Sequence, residues 1–135
     1  MNGKGAYPII LKRTAEGYYV EIPDFDIGTQ GTSVVNAMEM ARDAIGLMGI
    51  DMEDDGKSIP EPYTNEIIRE EDDILTLVDV DFTEYRRKVD NRAVKKNCTL
   101  PYWLSVEADK RGLNYSRVLQ EAIMNILGIS KNTVN

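Results

Sequence analysis

The sequence predicts an α+β protein made of two small units, and three observations carry that expectation. Strand-like and helix-like runs follow in the order strand, strand, strand, helix, strand, and then, past a basic stretch, strand, helix, helix. Charge reverses along the chain: residues 1–85 hold 6 Lys+Arg against 19 Asp+Glu, a net −13, whereas residues 86–135 hold 10 against 4, a net +6. Finally, 42% apolar and 29% charged residues over 135 positions is a globular composition with room for one or two modest cores. The expected division is an acidic domain over 1–85, a basic linker over 86–93 that opens with Arg86-Arg87-Lys88, and a second domain over 94–135.

The acidic part begins with YPIILKR and YYVEIPDF, two runs rich in β-branched and aromatic residues on either side of the Gly-bearing turn TAEG, which predicts a hairpin. Within the second run Tyr18, Val20 and Ile22 fall on one parity and Tyr19, Glu21 and Pro23 on the other, so one face is core and one is wet. A short extended piece from Ile27 to Thr32 leads into Ser33, a good N-cap. Val34, Ala37, Met38, Ala41, Ala44, Ile45 and Met48 then recur at helical spacing, with the helix expected to stop before Gly49 and an acidic loop to run through Pro62. Residues 74–81, ILTLVDVD, supply the fourth strand, and one helix is expected to cover one face of the sheet.

In the basic part, AVKKNCTL predicts a strand, PYWLSVEADKRG a first helix and LNYSRVLQEAIMNILG a second. Pro101 suits a first helical turn, Gly112 and Gly128 supply positive φ after helix ends, and Asn114 can cap the second helix. Residues 94–128 are too few to bury a core alone, so their apolar face, drawn from Cys98, Leu100, Leu104, Val118, Leu119, Ala122, Ile123 and Ile126, is expected to meet a second copy. On the strand, Val94, Cys98 and Leu100 share one parity, with Lys96 as the exception among them near the frayed end, and Lys95, Asn97 and Thr99 the other. An ammonium, an amide and a hydroxyl on one face can read base edges, and two such strands from a homodimer fit the major groove. The start of the second helix, Asn114-Tyr115-Ser116, offers free N–H groups that could hold a DNA phosphate; the plainer alternative is a simple cap. A helix-turn-helix fits less well, because positions 118–127 spare only Gln120, Glu121 and Asn125 as polar contacts.

Much chemistry is excluded. With no histidine there is no imidazole base or ligand, and the single Cys98 allows neither an internal disulfide framework nor a Cys-rich zinc site. Asp79 and Asp81 share a strand face, but a metal-dependent nuclease needs carboxylates converging from several elements, so a solvated edge or protein-binding surface is the better reading. No enzyme activity, cofactor or metal is expected. The longest uncharged run, Ile27 to Met38, is 12 residues and includes polar ones, and the N-terminus lacks a signal-peptide core, so a cytoplasmic protein without a membrane partner is expected.

AVKKNCTLPYWL followed by GLNYSRVLQEAI resembles the ribbon-helix-helix DNA-binding proteins, with the polar alternate strand positions, the Pro before the first helix and the Asn-x-Ser before the second. YPIILKR, GYYVEIPDF, TQGTSVVNAMEMA and TLVDVDFTEYRRK are similar to the domain of HicB antitoxins, and together the two stretches cover nearly the whole chain. Two positions depart from that pattern: Asn36 precedes Ala37 where an acidic residue is usual, and Asp26-Ile27-Gly28 replaces a glycine-and-cysteine-like turn. The resemblance implies a degenerate RNase H-like domain that binds and occludes HicA, a small basic mRNA-cleaving toxin, and a C-terminal dimer that represses its own operon. Operator contact would fall on Lys95, Asn97 and Thr99, with phosphate anchoring near Asn114, Tyr115 and Ser116. Toxin contact is placed on Tyr19, Glu21, Asp24 and Phe25, around what reads as the exposed edge of the second strand. A −13 domain is matched in sign to a basic toxin. The alternative is a stand-alone transcriptional repressor whose acidic domain senses a ligand or protein. Whether dimers pair further is open.

Overall fold

The turn at Ala15-Glu16 closes the expected hairpin, with Thr14 of β1 (Lys4–Thr14) opposite Gly17 of β2 (Gly17–Ile22). Gly17 takes φ +149°, and a Cβ there would run into the Gly31 carbonyl, so this corner requires glycine. The computed structural model describes residues 3–90 and 92–129; the linker residue Asn91, the first two residues of the acidic domain and residues 130–135 of the second lie outside the described residues. A single 3₁₀ turn at Pro23–Phe25 leads to β3 (Ile27–Gly31), antiparallel to β2, while β4 (Ile74–Asp81) lies antiparallel along β1. The sheet order is β3-β2-β1-β4. Thus β2 is an interior strand, not the edge it reads as in sequence.

Helix α1 (Val34–Asp54) covers one face of this sheet. Ser33 caps it by accepting the Asn36 N–H at 3.0 Å, and the Asn36 amide oxygen accepts the N–H of Thr32, one residue before the cap, at 2.9 Å, which fixes the entry of the chain into the helix. Tyr7, Ile9 and Leu11 of β1, Val20 and Ile22 of β2 and Val78 and Val80 of β4 pack against Ala37, Ala41 and Ile45. The small alanines bring the helix axis close to the sheet, so that the aliphatic strand residues fill the layer. Tyr7 adds edge-to-face contacts with Phe25, centroids 5.1 Å apart, and with Phe82.

The helix does not stop before Gly49. It continues to Asp54, because Gly46 and Gly49 are points of close approach: a Cβ on either would overlap the Tyr85 or Phe82 ring of α2 (Phe82–Val89). The chain turns only after the Asp55 cap, where Gly56 takes φ +75°. Helix α2 itself was not expected. Asp81 caps it by accepting the Glu84 N–H at 3.1 Å, and Arg86, Arg87 and Lys88 form its last turn, where cations favour the helix dipole. Those three residues, read as the start of a linker, therefore belong to a helix. Arg86 reaches back to Glu53 at 3.3 Å and Asp54 at 3.1 Å, tying α2 to the end of α1. The compact unit runs through Asp90 rather than ending at residue 85.

The second unit contains α3 (Tyr102–Lys110) and α4 (Tyr115–Leu127). Pro101 sits at the N-cap of α3, Gly112 takes φ +62° in the turn, Asn114 caps α4 by accepting the Arg117 N–H at 3.1 Å, and Gly128 ends α4 at φ +72°. No ladder or helix forms over residues 92–100 in the single chain. The strand expected over residues 94–100 is therefore absent from the single chain, where that segment has no ladder partner among the described residues.

Candidate functional site

The residues singled out in the sequence fall on two surfaces, one on each unit. On the acidic unit it is the face of the sheet opposite α1. Cross-strand register sets Ile10 between Glu21 and Leu75, Lys12 beside Tyr19, and Glu21 beside Gly28. Tyr19, Leu75 and Leu77 stand 43%, 39% and 45% exposed there, an apolar stripe no helix covers. The Lys12 ammonium lies 2.6 Å from Asp73 and 3.7 Å from Glu21. Hydrogen bonding to Asp73 raises the Lys12 pKa, and the same contact, with the Glu70 N–H, holds the Asp73 carboxyl below its ordinary value.

Of the four residues expected to meet a toxin, Tyr19 and Glu21 lie on this face. Asp24 and Phe25 do not. Phe25 is packed in the core, and Asp24 is 6% exposed. Its carboxylate accepts the backbone N–H groups of Tyr63 and Thr64 at 2.9 Å and of Asn65 at 3.1 Å, and the Thr64 hydroxyl at 3.2 Å. Asp24 is thus the anchor of the long loop between α1 and β4. The loop is fastened further by the Tyr7 hydroxyl donating to the Pro60 carbonyl at 2.8 Å, by the Asn65 amide donating to the Pro23 carbonyl at 2.8 Å and by the Lys12–Asp73 pair. Burial, then the nearby Glu61 and Asp24 charges, push the Tyr7 hydroxyl up to about 12, so it stays a donor at neutral pH. Fixed in this way, residues 65–68 border a groove of 430 Å³ against β2 and β3, lined among others by Ile10, Tyr19, Glu21, Asp26, Gly28, Glu66 and Ile68.

The paired strand carboxylates are otherwise engaged. Asp79 receives two bonds from Arg42 of α1, one to its backbone oxygen at 2.8 Å and one to its carboxylate at 3.0 Å, and the second holds the carboxyl below its ordinary pKa. Asp81 caps α2 and lies 4.0 Å from Lys4. Among the described residues no group of three or more Asp, Glu, Cys or His is arranged to hold a metal ion.

On the second unit, Lys95, Asn97 and Thr99 are exposed, but so are Cys98 and Leu100 of the opposite parity. Leu104, Val118, Leu119, Ala122, Ile123 and Ile126 are exposed as well, Ile126 at 83%; Ala108 alone among the described residues of this unit is buried. The side chains assigned to a dimer core therefore face outward in one chain. Asn114 is occupied as a cap, and Tyr115 donates its hydroxyl to Asp109, whose carboxylate raises the Tyr115 pKa. Of the three residues read as a phosphate anchor, two are thus also structural.

A family model described as HicB-like antitoxin of bacterial toxin–antitoxin systems matches residues 7–122. The "Uncharacterized 14.9 kDa protein in rep-hol intergenic region" of Haemophilus phage HP1 (strain HP1c1) is 33% identical over 110 residues, covering 77% of this chain and 79% of that protein. A solved chain described as a toxin–antitoxin complex from Streptococcus pneumoniae shares the fold at TM-score 0.54 and 24% identity, covering 90% of this chain and 98% of that one. A crystal structure of the antitoxin HicB3 aligns at TM-score 0.49 and 26% identity over 93% of this chain and 98% of its own. With a four-stranded antiparallel sheet and a match that spans both units, the chain belongs to the HicB-like antitoxin family of bacterial toxin–antitoxin systems.

Proposed function

We propose that this protein neutralises a small basic mRNA-cleaving HicA-type toxin through its acidic unit, and represses its own operon through a ribbon-helix-helix homodimer formed by the second unit. The observation that carries the reading is the outward-facing apolar surface of α3 and α4, next to a segment that sets Lys95, Asn97 and Thr99 on one parity and, Lys96 apart, apolar residues on the other. A helix pair that buries only Ala108 lacks the core to stand alone, and a second copy supplies both the missing layer and the missing ribbon strand. In that dimer Cys98, Leu100, Leu119 and Ile123 turn inward, and Lys95, Asn97 and Thr99 of both chains enter the major groove, with Asn114, Tyr115 and Ser116 beside the phosphates. The three-strand meander, the single covering helix and the return strand beside β1 support a degenerate RNase H-like reading of the acidic unit.

Inhibition here is occlusion and needs no catalysis, cofactor or metal. An acidic unit with an uncovered apolar stripe suits a basic protein: opposite charge speeds encounter, and the stripe supplies area to bury. The cytoplasm is the compartment where mRNA and operator are both met.

The deciding experiment is co-purification with the basic protein encoded beside this gene, an RNase assay of that protein with and without this chain, and an operator gel shift. Inhibition with a specific shift is expected, and Asn97→Ala should weaken operator binding by about 1–3 kcal/mol and relax sequence preference. A neighbour that cleaves mRNA unhindered would end the antitoxin reading; ligand-dependent release from the operator without such a neighbour would replace it with a stand-alone repressor.

A further inference from the structure

We propose that the groove on the open face of the sheet seats an arginine side chain of the basic partner. This rests on the antitoxin reading and adds the place and the chemistry of the contact. The groove has Ile10 at its floor, 1% exposed and on the strand parity that faces away from α1, whereas Ile22 and Ile27, which also border it, turn their side chains to the core. Tyr19 forms a wall: its hydroxyl lies over Gly28, where a Cβ would strike it. The rim carries three carboxylates, Glu21, Asp26 and Glu66, and no Lys or Arg lines the groove. The nearest cation by register is Lys12, opposite Tyr19, and it is held at 2.6 Å by Asp73 with Glu21 at 3.7 Å. Asp26 and Glu66 have no ion-pair partner among the described residues.

These parts select one kind of occupant. An apolar floor under a carboxylate rim suits a long aliphatic stem with a cationic head. A planar guanidinium stacks on a tyrosine face and donates to two carboxylates through its fork, which a compact ammonium cannot do. Phosphates and anionic lipid are repelled by the same rim, and the −13 charge over residues 1–85 extends that preference to the whole approach path. The volume, 430 Å³, accommodates such a side chain with neighbouring residues of its backbone.

The test uses the full-length protein and the toxin encoded beside it. Asp26→Asn with Glu66→Gln removes two rim charges; Asp26 takes φ 52°, a conformation asparagine tolerates, so the turn is kept. A control pair, Glu39→Gln with Asp51→Asn, removes the same charge from α1. The rim pair should weaken toxin binding by about tenfold or more and the control by about twofold or less, with operator binding and urea midpoint unchanged. An arginine of the toxin should then couple to the rim pair in a double-mutant cycle by about tenfold, and Tyr19→Phe should retain that coupling. Equal weakening by both pairs would overturn the groove in favour of overall charge. No weakening by either, with inhibition intact, would overturn the groove while the antitoxin reading stands, and coupling to a lysine would overturn the arginine. Should the unaltered protein fail to bind the toxin at all, both readings fall.

Discussion

Replacing Asp24 by alanine should release the loop between α1 and β4. The carboxylate takes three backbone N–H bonds and one hydroxyl bond from residues 63–65, all between 2.9 and 3.2 Å. Hydrogen bonds to a charged group contribute about 1.5–3 kcal/mol each, which for four would be a large sum. The loop is mostly on the surface, with Tyr63 58% exposed, so freed N–H groups regain water and the loss is much smaller. A net cost of about 3 kcal/mol is expected for Asp24→Ala, because an anchor buried at 6% exposure is lost and the adjoining Ile59 and Pro60 contacts loosen with it. Asp24→Asn keeps one acceptor but sets an NH₂ against a donor, and should cost about 1–2 kcal/mol. Urea unfolding followed by far-UV circular dichroism gives the cost, and amide hydrogen exchange locates it. Exchange at Tyr63, Thr64 and Asn65 should accelerate by about a hundredfold, since each 1.4 kcal/mol is tenfold. If Asp24→Ala lowers stability by less than about 0.5 kcal/mol, or those three amides exchange no faster, the anchor assignment is wrong.

Gly49→Ala gains about 1 kcal/mol of helix propensity but drives a methyl into the Phe82 ring, an overlap costing about 1–3 kcal/mol, so a thermal midpoint that rises would contradict the close α1–α2 contact. Acid should loosen the sheet–loop clamp: Asp73 has its folded pKa below the unfolded value, so its contribution is complete above about 4 and disappears as pH falls through the folded pKa. Asp73→Asn should flatten that acid limb of the stability curve, and an unchanged limb would count against the Lys12–Asp73 bond. Ile123→Asp should convert the protein to a monomer in sedimentation and remove operator binding, because the dimer would otherwise bury an unpaired carboxylate; a dimer that persists would refute the α4 interface.

Elements whose cause is local were legible in the chain. Ser33 and Asn114 cap helices because their own side chains reach an N–H three residues on, and Gly17, Gly112 and Gly128 sit where the backbone must take positive φ. The alternation of Val20 and Ile22 with Tyr19 and Glu21 predicted the two faces of β2, and the burial follows it. Helix α2 was equally legible, since Asp81-Phe82-Thr83-Glu84 has the spacing of a cap followed by an acidic third residue, but the basic run behind it drew the reading toward a linker. Gly49 misled for another reason: whether a mid-helix glycine ends a helix or admits a neighbour depends on Phe82, which stands 33 residues away and is invisible to periodicity.

Tertiary structure decided which face of the acidic unit stays open. Asp24 is a charged residue beside the hairpin, yet its partners are 39 to 41 positions away, and pairing with them turns a candidate contact into a buried anchor. That β2 is interior follows from β3 pairing along the side that β1 leaves free, and the groove exists because the anchored loop returns across the sheet. By itself the sequence determined the order of the four strands and α1, the two helices of the second unit, the caps and the reversal of charge, since each depends on side chains and their near neighbours. Which acids face solvent, and which glycines admit a ring, depended on chain segments brought together over tens of residues, a property of packing that no local pattern encodes.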